Sequence, residues 1–316
     1  MPDLYMHSRV CEDVIKELKE DINEQIAFVG AQGPDPLYYA VLSKQSGTFR
    51  MYADRMHDTD TKTYLKEMVR YVKQHYNKEN YSYLVGFLCH YALDVSVHPY
   101  VYHHVGIYKK ADKSTHAYRG LHMKFERSID ACIMKKEQTI KPHRLKLIDK
   151  YYPLKKLDPS IYQFMGHILN QKFKIDNGPD VIETAYDSMY NVVKHIHTDT
   201  TGLKKLLYKF IDLFTPSRDM FMQDLSFFKH IENYDFLNTE KRIWSHPVTN
   251  QQYDSSVMEL YDQGKNFAID LITKVNMYLS GSKAIDLNNV FTNLSLNSGI
   301  DCDHEGPFQY FNIYRK

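Results

Sequence analysis

The sequence predicts an all-α fold, and three observations carry that prediction. Apolar residues recur at intervals of three and four rather than two along most of the chain. Glycine is scarce, with 13 residues in 316, and the apolar-periodic segments stop at glycine or proline, as helices do. No run of 18 or more apolar residues occurs, so the helices are those of a water-facing bundle and not membrane spans.

Taken in order, the first pattern covers residues 10–27. Val14, Leu18, Ile22 and Ile26 step by four with Ile15 alongside, and Glu17, Lys19, Glu20 and Glu24 take the other faces. Gly30 and the Gly33-Pro34 pair end it. Further helical patterns cover 62–76, 82–98, 115–134, 181–197, 203–214 and 256–279. Pro99 predicts an end to the third at His98, because proline donates no hydrogen bond and biases its predecessor away from helical angles. The last opens on Ser256 and Glu259, a capping-box pair. From Gly281 the periodicity dissolves into Asn, Ser, Asp and Gly. The expected organisation is therefore one helical domain over 1–280, with 281–316 as an irregular or partly β extension packed on it.

Composition narrows the function classes. The chain has 40 Lys and Arg against 39 Asp and Glu, with both signs interspersed, so no stable nucleic-acid complex is expected. Met1-Pro2-Asp3-Leu4 has neither the basic start nor the apolar stretch of a signal peptide. A cytoplasmic protein is the expectation, or a secreted one if a leader was removed. Cys11, Cys89, Cys132 and Cys302 form no C-x-x-C pair, which argues for reduced thiols and against a thiolate zinc knuckle.

Sixteen histidines point to metal chemistry if they are suitably placed. A histidine four residues before a carboxylate shares its helix face and can share a metal ion. Random placement would give about two such pairs, and the chain holds His75/Glu79, His90/Asp94, His122/Glu126 and His195/Asp199. Context separates them. His90 and Asp94 lie in an otherwise apolar helical segment, where a carboxylate needs a partner. With His98 they form a slowly turning row, Asp94 in the middle and able to bridge two metals. His122 and Glu126 border the stripe of Leu121, Phe125 and Ile129, whereas His75/Glu79 sits in a polar stretch and reads as surface. Rival readings stand beside these: His57 among Asp54, Asp58 and Asp60 as a surface loop, His98 as a helix end, and Asp35 as a turn carboxylate between two prolines. His103, His104 and His116 read as exposed loop histidines, and the cluster of Asp301, Asp303, His304 and Glu305 as a solvated turn.

Gly30-Ala-Gln-Gly-Pro-Asp35-Pro, Met56-His57-Asp58, His90-x-x-x-Asp94, His98-Pro99 and His122-Met-Lys-Phe-Glu126, with His7 near the start, together resemble the bacterial zinc-dependent phospholipase C family over about the first 130 residues. The resemblance implies a multi-helix bundle, shared with fungal single-strand-specific zinc nucleases, in which a multinuclear zinc cleft hydrolyses phosphate esters. Carried over, Asp35, His57, His90 and Asp94 would bind one zinc, His98, His122 and Glu126 a second, and Asp94 with His7 a third. The family's third ion also takes an N-terminal tryptophan, but the one tryptophan here is Trp244. Asp3, four residues before His7, is the replacement candidate, or else a helix cap. The spacing from His90 to His98 is two residues shorter than in the family and that from Asp35 to His57 is longer. No match to the choline-binding aromatic pocket emerges.

The resemblance implies two or three zinc ions that activate water for in-line attack on phosphorus, with Asp35 as general base. A phospholipid headgroup ranks first as substrate, and a nuclease or small-molecule phosphatase second. A reading from another class is a degenerate zinc-binding helical module without catalysis.

Overall fold

The computed structural model describes residues 4–40, 43–137, 142, 145–199, 201, 203–214, 221–227 and 231–314. The fold is all-α. In chain order the helices are α1 (Leu4–Leu18), α2 (Glu24–Gly30), α3 (Ser46–Asp58), α4 (Thr61–Gln74), α5 (Lys78–Val105), α6 (Leu121–Glu137), α7 (Leu147–Lys150), α8 (Pro159–Phe173), α9 (Gly178–Val192), α10 (Leu203–Phe214), α11 (Val257–Leu279) and α12 (Leu287–Val290). Among the described residues the strands are limited to a two-residue antiparallel pair, β1 (Trp244–Ser245) and β2 (Gln252–Tyr253), with Trp244 opposite Tyr253. The strand content thus lies before α11. The segment after Gly281 holds one helical turn and a single bridge between Leu294 and Asp301.

The axis of the bundle is α5, packed by α11, α2, α1, α6, α8 and α4. Every residue from 80 to 94 on it is buried, as expected of a helix that is apolar nearly all round. α11 begins as its sequence signals: the Ser256 hydroxyl accepts from the Glu259 amide while the Glu259 carboxylate accepts from the Ser256 amide.

Several helix boundaries differ from expectation, among them the starts of α1 at Leu4 and α5 at Lys78 and the end of α9 at Val192; three differences bear on the fold. The 10–27 pattern is two helices, because Lys19 adopts a left-handed conformation (φ 55°) and Asn23 starts α2 by accepting from the Ile26 amide. The apolar stripe continues through this break, which is why periodicity alone misses it. The 115–134 pattern is a 3-10 turn (Lys113–Tyr118) followed by α6. Most consequentially, α5 does not stop at His98 but runs through Pro99 to Val105. Proline deprives the Val95 carbonyl of its helical donor, and the C-terminal segment fills the space beside it. A Cβ on Gly299 (φ +69°) would lie 2.7 Å from that carbonyl oxygen, so the backbone approaches there as only glycine allows.

The chain beyond α12 is tied to the ends of α3 and α5. The Leu296 amide donates to the His57 carbonyl at 2.7 Å, the Asn312 amide to His103 at 2.8 Å, and the Tyr314 amide to His104 at 3.0 Å. His103 and His104 are therefore not exposed loop residues. They form the buried last turn of α5, and their Nδ1 atoms contact the carbonyls of Tyr310 and Asn312.

Candidate metal centre

Five elements converge on the middle of α5. α1 carries His7, the 3-10 turn Asp35–Tyr39 carries Asp35, α3 carries His57, α5 carries His90, Asp94 and His98, and α6 carries His122 and Glu126. His57 lies near the end of a helix that periodicity does not announce, and it is buried, not on a surface loop. The ligand-type atoms fall into three groups: His7, His90 and Asp94; Asp35, His57 and His90; and His98, His122 and Glu126. Within each group they lie within 4.8 Å of one another. Asp3 lies outside the described residues.

Asp94 faces two ways. Its Oδ1 is 3.3 Å from His7 Nε2, and its Oδ2 is 3.0 Å from His90 Nε2 and 3.8 Å from His57 Nε2. His57 Nε2 is also 3.2 Å from Asp35 Oδ1. In the third group Glu126 Oε1 is 2.8 Å from His122 Nε2 and 3.5 Å from His98 Nε2. The His7 and His90 rings stack at 4.3 Å between centroids.

The backbone sets the tautomers. Nδ1 of His57 meets the Ala53 carbonyl at 2.8 Å, Nδ1 of His90 that of Ala31 at 3.2 Å, and Nδ1 of His98 that of Leu296. A carbonyl only accepts, so each Nδ1 carries the proton and each Nε2 presents a lone pair to the cluster. Those three Nε2 atoms, both His7 ring nitrogens, Asp35 Oδ1 and both Asp94 oxygens are buried without a hydrogen-bond partner. Buried polar atoms left so cost stability unless something else satisfies them. A cation between imidazole lone pairs and carboxylates does so, and a thiolate-free donor set of this kind suits zinc.

The charges follow from burial and proximity. Burial would raise the Asp94 carboxyl, but His90 and His7 outweigh it and hold it well below the usual carboxylate range. Burial pulls His98 down to about 4 and also lowers His7, with His90 adding to it. His57 is pulled down by burial yet ends raised, because Asp35 beside it favours the charged ring.

Two features that position these residues have only faint sequence signals. Asp130, buried on α6, accepts from the Tyr5 amide at 2.8 Å and the Met6 amide at 3.1 Å. It thereby caps α1 from another helix and aims His7; a carboxylate between Ile129 and Ala131 in an apolar stripe is its one trace in the sequence. Gly33 (φ +51°) leaves room for the His90 ring, since a Cβ there would lie 2.2 Å from His90 Cδ2. That explains the glycine two residues before Asp35.

The cluster reaches solvent on one side. The His122 side chain is 33% exposed, while those of His7, His90, Asp94 and His98 are at most 1%. Around this opening Tyr102 lies 4.8 Å from His122 and 4.9 Å from Phe308, and Tyr38 lies 5.6 Å from His57.

An all-α bundle with three histidine-carboxylate groups of this composition has the donor sets that could hold metal ions. Residues 6–175, more than half of the chain, match the zinc dependent phospholipase C family, and the protein belongs to that family. Among curated proteins and among solved structures, none matches significantly.

Proposed function

We propose that the protein is a zinc-dependent phosphodiesterase of phospholipase C type, holding two or three zinc ions and cleaving the headgroup ester of a phospholipid. The observation that carries this reading is the convergence of three histidine-carboxylate groups within the family-matched part of the chain, with buried atoms of His7, Asp35, His57, His90, Asp94 and His98 left without a hydrogen-bond partner. His90, Asp94, Asp35 and His57 would hold one ion, His98, His122 and Glu126 another, and His7 with Asp94 a third, to which Asp3 is the further candidate. Bound zinc supplies Lewis acidity toward phosphate oxygens and toward water. Asp35 is the base that takes the proton from the attacking water, and His57 Nε2 lies 3.2 Å from its Oδ1. The carbonyl-fixed imidazoles keep the ligand atoms in place and cost no reorganisation during the reaction.

The rim favours a lipid headgroup over a nucleic acid. Tyr38, Tyr102 and Phe308 offer half-buried aromatic faces beside the ligands, suited to a cationic amine. Tyr38 also donates to Asp54 at 2.8 Å, and the charges of Asp54, Asp58 and Glu305 act on Tyr102. Carboxylates at the mouth repel a polyanionic strand and attract a choline- or ethanolamine-type group.

The test begins with metal content by mass spectrometry on protein purified without chelator or nickel resin, followed by turnover of phosphatidylcholine, bis-p-nitrophenyl phosphate and single-stranded DNA. Two or three zinc ions per chain and chelator-sensitive release of phosphocholine are expected. Selective cleavage of DNA would replace the lipid reading, and zero or one zinc without turnover would leave a non-catalytic module.

A further inference from the structure

α10 is inverted with respect to solvent. Its sequence, LKKLLYKFIDLF, places Leu203, Leu206, Leu207, Phe210, Leu213 and Phe214 within an arc of about 120° at 100° per residue. That arc faces outward: the six residues are 56–75% exposed. The other exposed large apolar residues, Met51, Tyr76, Ile243, Met277 and Tyr310, lie singly on separate parts of the chain, so this is the one such cluster among the described residues.

The inward side is held mainly by polar groups. Lys204 Nζ donates to the carbonyls of His195 and Thr198 at 2.8 and 3.0 Å, and Lys205 Nζ to that of Gln223 at 3.0 Å. Asp212, the helix's only acid, accepts from the Met222 and Gln223 amides at 2.7 and 3.1 Å. Buried Tyr208 completes that side. The helix is thus anchored through its polar face, and no described residue buries its apolar face, a contiguous exposed cluster of the kind that marks an interaction surface.

The charge around α10 identifies what covers it. On one side a recess of about 570 Å³ is lined by Lys146, Lys194 and Lys204 with one carboxylate, Asp149. On the other, the turn that accepts from Lys205 borders a recess of about 680 Å³ lined by Lys110, Arg119 and Lys124, the last paired with Glu232 at 2.6 Å, with one carboxylate, Asp224, in the lining. Lys209 lies exposed at the edge of the apolar arc. An apolar ridge between two basic flanks matches an anionic bilayer, with apolar side chains entering the acyl boundary and cations meeting phosphate. Pairing with α10 of a second copy would set the same basic flanks against each other. Among the described residues no helix is long and apolar enough to cross a membrane, and twelve residues span only about 18 Å, so the helix would lie on the surface.

We propose that α10 is an interfacial helix that docks the protein on anionic phospholipid bilayers by inserting its Leu/Phe face. This rests on the surface alone and not on the catalytic reading, so its readout is partition and not turnover. The metal-loaded full chain would be sedimented with phosphatidylcholine vesicles with and without phosphatidylglycerol, beside the double variant Leu206→Asp/Leu213→Asp. Expected are binding to the anionic vesicles, weakening at high salt, and a loss of about tenfold or more in the variant, whose helical content, thermal midpoint and zinc content stay native. The proposal is overturned if the native chain remains in the supernatant, if the intact variant partitions like the native chain, or if salt has no effect. It is likewise overturned by sedimentation velocity showing a dimer that the variant abolishes without vesicle binding. Should the double variant not fold, Phe210→Gln alone is read in the same way.

Discussion

α5 and α10 break the same rule in opposite directions. Helices of water-soluble bundles turn apolar residues inward and polar ones outward. α5 places four histidines and an aspartate in the dry interior, and α10 places six leucines and phenylalanines in water while Lys204, Lys205 and Asp212 face the protein. In α5 the histidines are supported: Nδ1 of His90, His98, His103 and His104 each meets a carbonyl, while Nε2 of His90 and His98 and both Asp94 oxygens face the cluster without a partner. In α10 nothing among the described residues covers the exceptions. On the readings proposed above, the buried violation is a site for a small charged ligand and the exposed one a surface for an extended apolar partner.

The strongest way to break this contrast is Asp94→Asn. Asp94 touches His7, His90 and His57, so the variant should lose at least one zinc per chain and more than about 100-fold in affinity in a chelator competition; unchanged zinc would make α5's buried polar row merely structural. Next comes Asp35→Asn, which should keep nearly native zinc while turnover falls about 10²- to 10⁴-fold. Full activity would remove the base role. Gly33→Ala forces a Cβ against the His90 ring at a left-handed φ and should cost about 2–3 kcal/mol in urea unfolding, with zinc affinity reduced. Native-like stability would show that the ring is not wedged under the turn.

The pH dependence sharpens the same picture away from the metal ligands. Burial, with His103 adding to it, pushes His104 down to about 3 from its ordinary 6.5. Below pH 6.5 the unfolded chain binds a proton that the folded one refuses, so stability falls as pH drops from 6.5 toward 3 and levels off beneath that. His104 contributes at most about 1.4 kcal/mol per pH unit, so His104→Gln should flatten the decline between pH 6.5 and 5.5 by about 1 kcal/mol. An unaltered slope would mean that burial does not keep this ring neutral. The smallest effect belongs to α10: Leu206→Gln/Leu213→Gln should change folding stability by no more than about 0.5 kcal/mol, because those side chains are 67% and 75% exposed. A larger loss would show that the ridge is covered within the chain.

Much of this was legible residue by residue. The i, i+4 pairs His90/Asp94 and His122/Glu126 mark the two helices that carry most ligand-type atoms, and the capping box at Ser256 and Glu259 starts α11 where it reads. Periodicity also marks α10 with its bounds. What it could not show is which side of α10 faces water, since an apolar stripe is the same stripe whether a core or a membrane receives it. Pro99 misled for a related reason: its local cost is real, but the C-terminal segment packs beside the carbonyl it frees, 200 residues later in the chain.

By itself the sequence determined the helical class and the donor chemistry, because helix periodicity and the identity of imidazole and carboxylate side chains are local properties. Only the tertiary structure decided that His7, Asp35 and His57 meet α5, that Asp130 caps α1 from α6, and that the Leu296 carbonyl sets the tautomer of His98. Those contacts join residues 37 to 198 positions apart. Distances of that kind are set by how whole helices pack, and no pattern read within one helix contains them.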